Sequence, residues 1–349
     1  IREISAESMR DKNIKTGLPA VHQWWARRPL PVCRAVIFAS LVPDPLDENC
    51  PKVFNDSIEI LLGKKENMGD PYRPYEDIPY TAAFDKMEDN HRNRLLMFIG
   101  KFSEKFILNE KQGIKTDAKD QLSDASLIKW DNKNNEEIIN KARKLIWVAH
   151  NHINNPNAAA LLAEFDRHYL EIKDAEQDLY STINRHIRTA KIISKEETLQ
   201  KSIDSLLDKM PKVFDPFAGG GAIPLEAARL GCKSFGNDIN PVAHIIQKCS
   251  LEFPQKFGKP ITLDKTEFVK QYGKEELRKV GNENLLIENG ESVAVYIPNR
   301  LAFDVDFYVR KLLLEAEAEL SFLFPTDDKG NKPIAYYWTR VAVCSNPSC

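Results

Sequence analysis

The chain has 349 residues, 42% of them hydrophobic and 29% charged, with a formal net charge of −2. That length allows two or three domains with a sizeable core, and the composition is that of a soluble globular protein. No apolar run reaches the roughly 18 residues of a transmembrane helix, no signal-peptide pattern opens the chain, and the six cysteines are scattered, all of which points to a reduced, cytoplasmic protein without a membrane partner.

Residues 1–46 form the first predicted unit. The near-neutral average hides a local excess here, since residues 1–34 hold seven Arg or Lys against three Asp or Glu. After a polar lead comes His22-Gln23-Trp24-Trp25-Ala26-Arg27-Arg28-Pro29-Leu30. Aromatic and Arg side chains of this kind stack on bases, cover an adenine ring or clamp a carboxylate. Taken singly, a Trp of this cluster is expected in the core and both Arg in solvent. An apolar helix is predicted from about Val32 to Leu41, stopped by Pro43 and Pro45.

Residues 47–210 are rich in Lys, Glu, Asp and Asn, with apolar residues at helical spacing, as in Arg94–Ile99 and Ile138–Ile146. The pattern predicts a helical insertion of several amphipathic segments, ending in an extended helical hairpin over Ala158–Met210, where Gly and Pro are nearly absent. Two uses of this region stay open: an arm that grips nucleic acid or a partner, and a solvated helical layer over a sheet.

The most specific stretch is Lys212-Val213-Phe214-Asp215-Pro216-Phe217-Ala218-Gly219-Gly220-Gly221 with Phe235-Gly236-Asn237-Asp238 beyond it. A strand ends in an acid, a glycine turn admits a ligand close to the backbone, and a second strand ends in another acid. This is the order of a nucleoside site in an α/β sheet. The helix Ala222–Leu230 tolerates Pro224 in its first turn and ends at Gly231; Asn240 and Pro241 open the next helix.

The three glycines are contiguous, unlike the G-x-G-x-x-G spacing that presents a helix N-terminus to a pyrophosphate, and Asp215 would repel such a group. S-adenosylmethionine carries no phosphate, and it is the expected cofactor. Asp215 is expected near its methionine end and Asp238 at the ribose hydroxyls. Pro216, Phe217, Ala218, Gly219, Gly220, Gly221 and Ile239 complete the binding set. The plainer reading makes Asp215 a solvated cap on a tight turn.

A polar insertion is predicted over 254–292, then a strand from Ser292 to Ile297, a helix from about Val305 to Phe324 and a strand from Ile334 to Val343. On this reading 211–343 is one Rossmann-like α/β domain, carrying the large helical insertion in front of it. Cys344 and Cys349 close the chain, which opens on Ile1. The expectation is a piece of a longer protein cut at 344–349 inside a zinc ribbon, whose second cysteine pair would complete a tetrahedral site; an exposed cysteine turn without metal is the alternative.

These segments together resemble the adenine-specific DNA methylases that begin with a conserved domain of unknown function and carry a zinc ribbon. The resemblance rests on His22–Leu30, Asp215–Ala227, Asn237–Ala243 and Tyr337–Arg340 leading to Cys344 and Cys349, with weaker likeness at Trp130-Asp131 and Ala142–Leu145. It implies DNA as a partner, protein partners of a modification or phage-defence system, and a fold in which His22, Trp25 and Arg27 line the methionine end of the cofactor. Such enzymes hold the target amino group with an Asp, Asn or Ser followed by Pro-Pro and an aromatic. This sequence has no such tetrapeptide. The resemblance places that element beyond Cys349 and leaves these residues inactive on their own, so a noncatalytic S-adenosylmethionine- or DNA-binding subunit is the alternative function.

Overall fold

The polar opening of the chain is a helix, α1 (Arg2–Asn13), and its buried face is acidic: Glu3, Glu7 and Asp11, four residues apart, are all buried. The computed structural model describes residues 2–13, 28–63, 90–153, 155–184, 189–288, 290–324 and 326–331. Buried carboxylates are tolerated where they accept hydrogen bonds. Glu7 accepts the Trp130 backbone N–H at 2.9 Å, while Asp11 accepts the Trp130 indole N–H at 3.3 Å and the Leu30 N–H at 3.4 Å. Burial dominates at Glu7 and pushes its carboxyl above the usual range, against the Trp130 N–H and Arg10.

Helix α2 (Leu30–Leu41) has Pro31 in its first turn and buries Leu30, Cys33, Ile37 and Phe38. Helices α3 (Lys52–Leu62), α4 (His91–Ile99), α5 (Glu104–Lys111) and α6 (Glu136–Asn151) follow. The expected hairpin is present as α7 (Ala158–Asn184) and α8 (Thr189–Leu207). Its two arms run antiparallel, since Lys195 pairs with Asp178 and Lys209, just past α8, with Glu164. Trp147 of α6 is fully buried and meets the Phe165 ring edge-on at 5.8 Å. It belongs to a core that also takes in Phe38, Phe54 and Ile58, and that continues through Ala222, Ala227, Leu230 and Cys232. The main core is therefore shared between the helical region and the glycine-turn segment, while Phe102, Phe106, Ile107, Leu122 and Ile128 form a smaller separate cluster with Ala35.

Strands β1 (Lys212–Asp215) and β2 (Lys233–Gly236) flank α9 (Ala222–Arg229). They pair in parallel, with Lys212 opposite Lys233 and Asp215 opposite Gly236. Helix α10 (Pro241–Gln247) starts on Asn240, whose side chain accepts the Val242 N–H. It continues through a π-helical turn, Lys248–Glu252, into α11 (Phe253–Phe257).

From Gly258 on the chain forms a second compact unit. It contains β3 (Ile261–Asp264), α12 (Lys265–Tyr272), α13 (Lys274–Lys279), β4 (Leu285–Glu288), β5 (Glu291–Ile297) and α14 (Arg300–Leu320). The sheet order is β3-β5-β4, antiparallel throughout. Leu263, Phe268, Tyr272, Val295 and Ile297 make its core.

The described strands form two small sheets, the described residues are mixed α/β and mostly helical, and they do not show the Rossmann-like sheet expected. The physical reason lies in the connections. A crossover helix between β1 and β2 gives parallel pairing, whereas the short link between β4 and β5 permits only antiparallel pairing. Residues 254–292, expected as a polar insertion, supply two of the three antiparallel strands. The boundary between the compact units falls between Phe257 and Gly258 in the chain, within the expected span 211–343, and positions 46 and 210 both fall within the first unit. The helix expected over 305–324 runs from Arg300 to Leu320, because Asn299 caps it by accepting the Ala302 N–H. The strand expected over 334–343 lies outside the described residues. No helix among the described residues is long and apolar enough to cross a membrane.

Candidate cofactor site

The site is assembled at the C-terminal ends of β1 and β2. After Asp215 the chain folds back, and the Asp215 Oδ1 accepts the Phe217 N–H at 3.0 Å, a side-chain turn typical of Asp. The turn is then stitched to the exit of β2: the Asn237 N–H donates to the Asp215 carbonyl and the Ala218 N–H to the Asn237 carbonyl, each at 2.9 Å. Asp238 closes the arrangement, its Oδ2 accepting the Gly219 N–H at 2.8 Å and its Oδ1 the Asn240 N–H at 2.9 Å. From the other side the Gln247 Nε2 donates to the Gly219 carbonyl at 3.1 Å.

Gly221 is the residue before α9 and is left-handed, with φ +82°. A side chain there would also lie 3.0 Å from the Gln247 Cγ, so both backbone and packing call for glycine. Ala218, Gly220 and Gly221 are buried, while Asp215, Gly219 and Asp238 are half-buried and Pro216 is exposed. Phe217 and Ile239 stand 86% and 98% exposed on either side. The result is a pinned glycine turn flanked by two carboxylates and two uncovered apolar side chains. The second oxygen of Asp215 makes no hydrogen bond among the described residues, and each Asp238 oxygen keeps a further acceptor position. Such a site can take hydroxyls or an ammonium on its acids and a flat apolar ring on its flanks.

Behind the turn, α9 packs on α2. Arg34, buried in α2, holds Glu226 of α9 with Nε–Oε2 at 2.6 Å and Nη2–Oε1 at 3.3 Å, and its Nη1 donates to the Leu127 carbonyl at 2.8 Å. Arg229 also contacts Glu226. The Cys33 thiol is pushed up to about 12, first by burial and then by the carboxylates of Glu226, Asp11 and Asp215, against Arg28. The start of α2 and the end of β1 thus share one electrostatic neighbourhood. His22, Trp25 and Arg27, expected beside the cofactor, lie outside the described residues, as do Cys344 and Cys349.

Sequence reasoning missed Gln247 and the Arg34–Glu226 pair. A lone Arg in the apolar helix Leu30–Leu41 and a lone Glu among the alanines of α9 were the available signals, since a charge on a buried face needs a partner. Gln247 carried none. A separate cavity of about 340 Å³ lies between β2 and the helix from Pro241 to Phe257; it shares Gly236 and Gln247 with the site but not Asp215, Phe217 or Asp238.

Comparison with known proteins agrees with this geometry in part. Residues 1–61 match a family described as a protein of unknown function (DUF1156). The chain is also similar to tRNA (guanine(37)-N(1))-methyltransferases. It is 31% identical to that of Xenopus tropicalis over 117 residues, 33% of this chain and 23% of the relative. Against the Mus musculus protein it is 35% identical over 77 residues, 22% of this chain and 15% of the relative. Against the Homo sapiens protein it is 33% identical over 85 residues, 24% and 17% respectively. The chain therefore spans less than a quarter of the length of these relatives. No solved structure matches it.

Proposed function

We propose that the chain binds S-adenosylmethionine on the glycine turn and serves methyl transfer to a nucleic-acid amino group, adenine N6 of DNA being the target that the sequence resemblance favours. The observation that carries the reading is the pair of carboxylates, Asp215 at the end of β1 and Asp238 two residues past the end of the parallel strand β2, with a pinned glycine turn between them. Asp238 would accept the ribose hydroxyls and Asp215 the methionine ammonium, while Phe217 and Ile239 would flank the adenine ring. The likeness to methyltransferases supports methyl transfer in general. A nicotinamide dinucleotide fits poorly, because Asp215 would face its pyrophosphate.

In the proposed reaction the amino nitrogen attacks the sulfonium methyl carbon in line. The N–C bond forms as the S–C bond breaks, S-adenosylhomocysteine leaves, and the amino group sheds a proton. The protein would contribute positioning and a polar, ordered site.

Two other readings have specific support. The matched relatives are named for a tRNA guanine, which favours RNA as the substrate. The sequence contains no Pro-Pro pair, which favours a noncatalytic cofactor-binding subunit working with a partner. Calorimetry with S-adenosylmethionine and with NAD tests the cofactor; tight NAD binding and no S-adenosylmethionine binding would overturn the proposal. Incubation of the protein with methyl-labelled cofactor and either duplex DNA or tRNA, followed by nucleoside mass spectrometry, separates N6-methyladenine in DNA from 1-methylguanine in tRNA.

A further inference from the structure

At the other end of the two parallel strands, away from the glycine turn, a cavity of about 670 Å³ opens between the start of α6, the end of α8, the last turn of α9 and the start of β2. Four cations line it, Lys133, Arg143, Arg229 and Lys233, against one acid, Glu136. Two of the four are already engaged: Lys233 pairs with Asp208 at 2.9 Å, and Arg229 shares Glu226 with Arg34. Lys133 and Arg143 make no ion pair among the described residues. The Lys133 ammonium stands 3.3 Å from the centre of the Trp130 ring. Arg143 is aimed by neutral partners, its Nε donating to the Arg229 carbonyl at 3.0 Å and its Nη1 to the Asn140 Oδ1 at 2.9 Å.

These groups are held in place and short of counter-charge. Burial draws the Lys133 ammonium below its ordinary range, and the like charges of Arg229 and Arg34 add to this against Asp11 and Asp131. Burial likewise lowers Arg143 and Arg229, each of which the other's charge or that of Arg34 disfavours, against Glu136 and Glu226 respectively. Partly desolvated like charges repel more strongly than they would in water, so an anion entering among them is attracted by every one. We propose that this cavity binds a phosphate group, with Lys133 and Arg143 in direct contact and Arg229 as flanking charge. A phosphate monoester, of charge near −2, or two successive phosphodiesters of a backbone match the cation surplus better than a single carboxylate does. The volume lies within the range of about 300–1,000 Å³ usual for small-molecule sites and leaves room for what the phosphate is attached to. The phosphate could belong to a polynucleotide backbone or to a free phosphorylated molecule.

The site does not depend on the methyl-transfer reading, and its test keeps the two apart. Calorimetric titration of the full chain with pyrophosphate is paired with anisotropy of a labelled oligonucleotide. Both are repeated for Lys133→Gln, Lys133→Arg and Arg143→Gln, with S-adenosylmethionine binding measured in each variant. Lys133→Gln is expected to weaken pyrophosphate about tenfold, the scale of one charge-assisted contact. Lys133→Arg should restore it, and the affinity for S-adenosylmethionine should be unchanged throughout. Oligonucleotide binding that falls in step with pyrophosphate assigns the phosphate to a polynucleotide backbone; oligonucleotide binding indifferent to Lys133 assigns it to a free phosphorylated molecule. Pyrophosphate that binds no better than chloride, or that binds Lys133→Gln and Arg143→Gln as tightly as the parent, overturns the proposal.

Discussion

Arg34 and Glu226, 192 positions apart in the chain, form a buried two-pronged ion pair. Arg34 lies in the segment that matches a family of unknown function, and Glu226 in the helix directly behind the glycine turn. The pair therefore fastens the N-terminal segment to the candidate cofactor site. It also ties the glycine turn to the helical core, because Gly221 immediately precedes α9, whose body carries Glu226.

Removing Glu226 leaves Arg34 buried and uncompensated, whereas removing Arg34 leaves Glu226 paired with Arg229 alone. Glu226→Gln is expected to destabilise the first unit by about 3–5 kcal/mol and Arg34→Met by less, and the double replacement Arg34→Met with Glu226→Leu recovers only part of the larger loss, because Arg229 then loses its carboxylate partner. Urea denaturation followed by circular dichroism measures all three. A double variant whose loss equals the sum of the two single losses would show that the pair is not coupled.

Much of the candidate site was legible because its signals are local. Asp215, the contiguous glycines, the left-handed Gly231, the Asn240 cap and Pro241 each fix the chain within a few residues, and β1, α9, β2 and α10 fall where the sequence placed them. The longer helices, including the α7–α8 hairpin, follow from apolar periodicity. What could not be read is set by contacts between distant segments. Nothing local in residues 2–13 signals that the acidic face of α1 is buried; Trp130 and Leu30, distant in the chain, supply the N–H donors that permit it. The antiparallel sheet was not legible for a similar reason: pairing β5 with β3 and β4 is a choice among strands, and only the short β4–β5 link carried a local cue.

Gly221→Ala tests the turn itself. A non-glycine residue at φ +82° costs about 1–2 kcal/mol, and here the added carbon also meets the Gln247 side chain. Gly113, at φ +67° with open space around it, carries the backbone cost alone. Gly221→Ala should therefore lower the melting temperature more than Gly113→Ala does. Equal shifts would mean that Gln247 does not press on the turn.

The second unit should weaken in acid through Glu276. Hydrogen bonds from Arg310 hold its carboxyl below the usual range, with Lys279 adding, against the effect of burial; Arg310 Nη2 is 2.5 Å and Lys279 Nζ 3.1 Å away. Because the folded value lies below the unfolded one, this stabilisation is complete above about pH 4.5 and is lost as pH falls through the folded value. Glu276→Gln should be less stable than the parent by about 1–3 kcal/mol at pH 7, and the gap should close toward pH 2. Denaturation of both proteins across that range checks it, and a gap independent of pH would rule the carboxylate out as its cause.

Asp238 is the residue in which architecture and binding overlap, so its replacement needs a design that separates them. Asp238→Ala removes the acceptor for both the Gly219 and Asn240 N–H groups and, if the proposed role is right, for the ribose as well. Affinity for S-adenosylmethionine is expected to fall by about 1–3 kcal/mol, but a loosened turn alone would do the same. A cofactor lacking the 2′-hydroxyl resolves the ambiguity through a double-mutant cycle. Direct contact predicts that the deoxy cofactor binds the parent more weakly than S-adenosylmethionine, while the alanine variant barely distinguishes the two. If the two losses simply add, Asp238 holds the glycine turn without touching the ribose, and the acceptor for the hydroxyls has to be sought elsewhere.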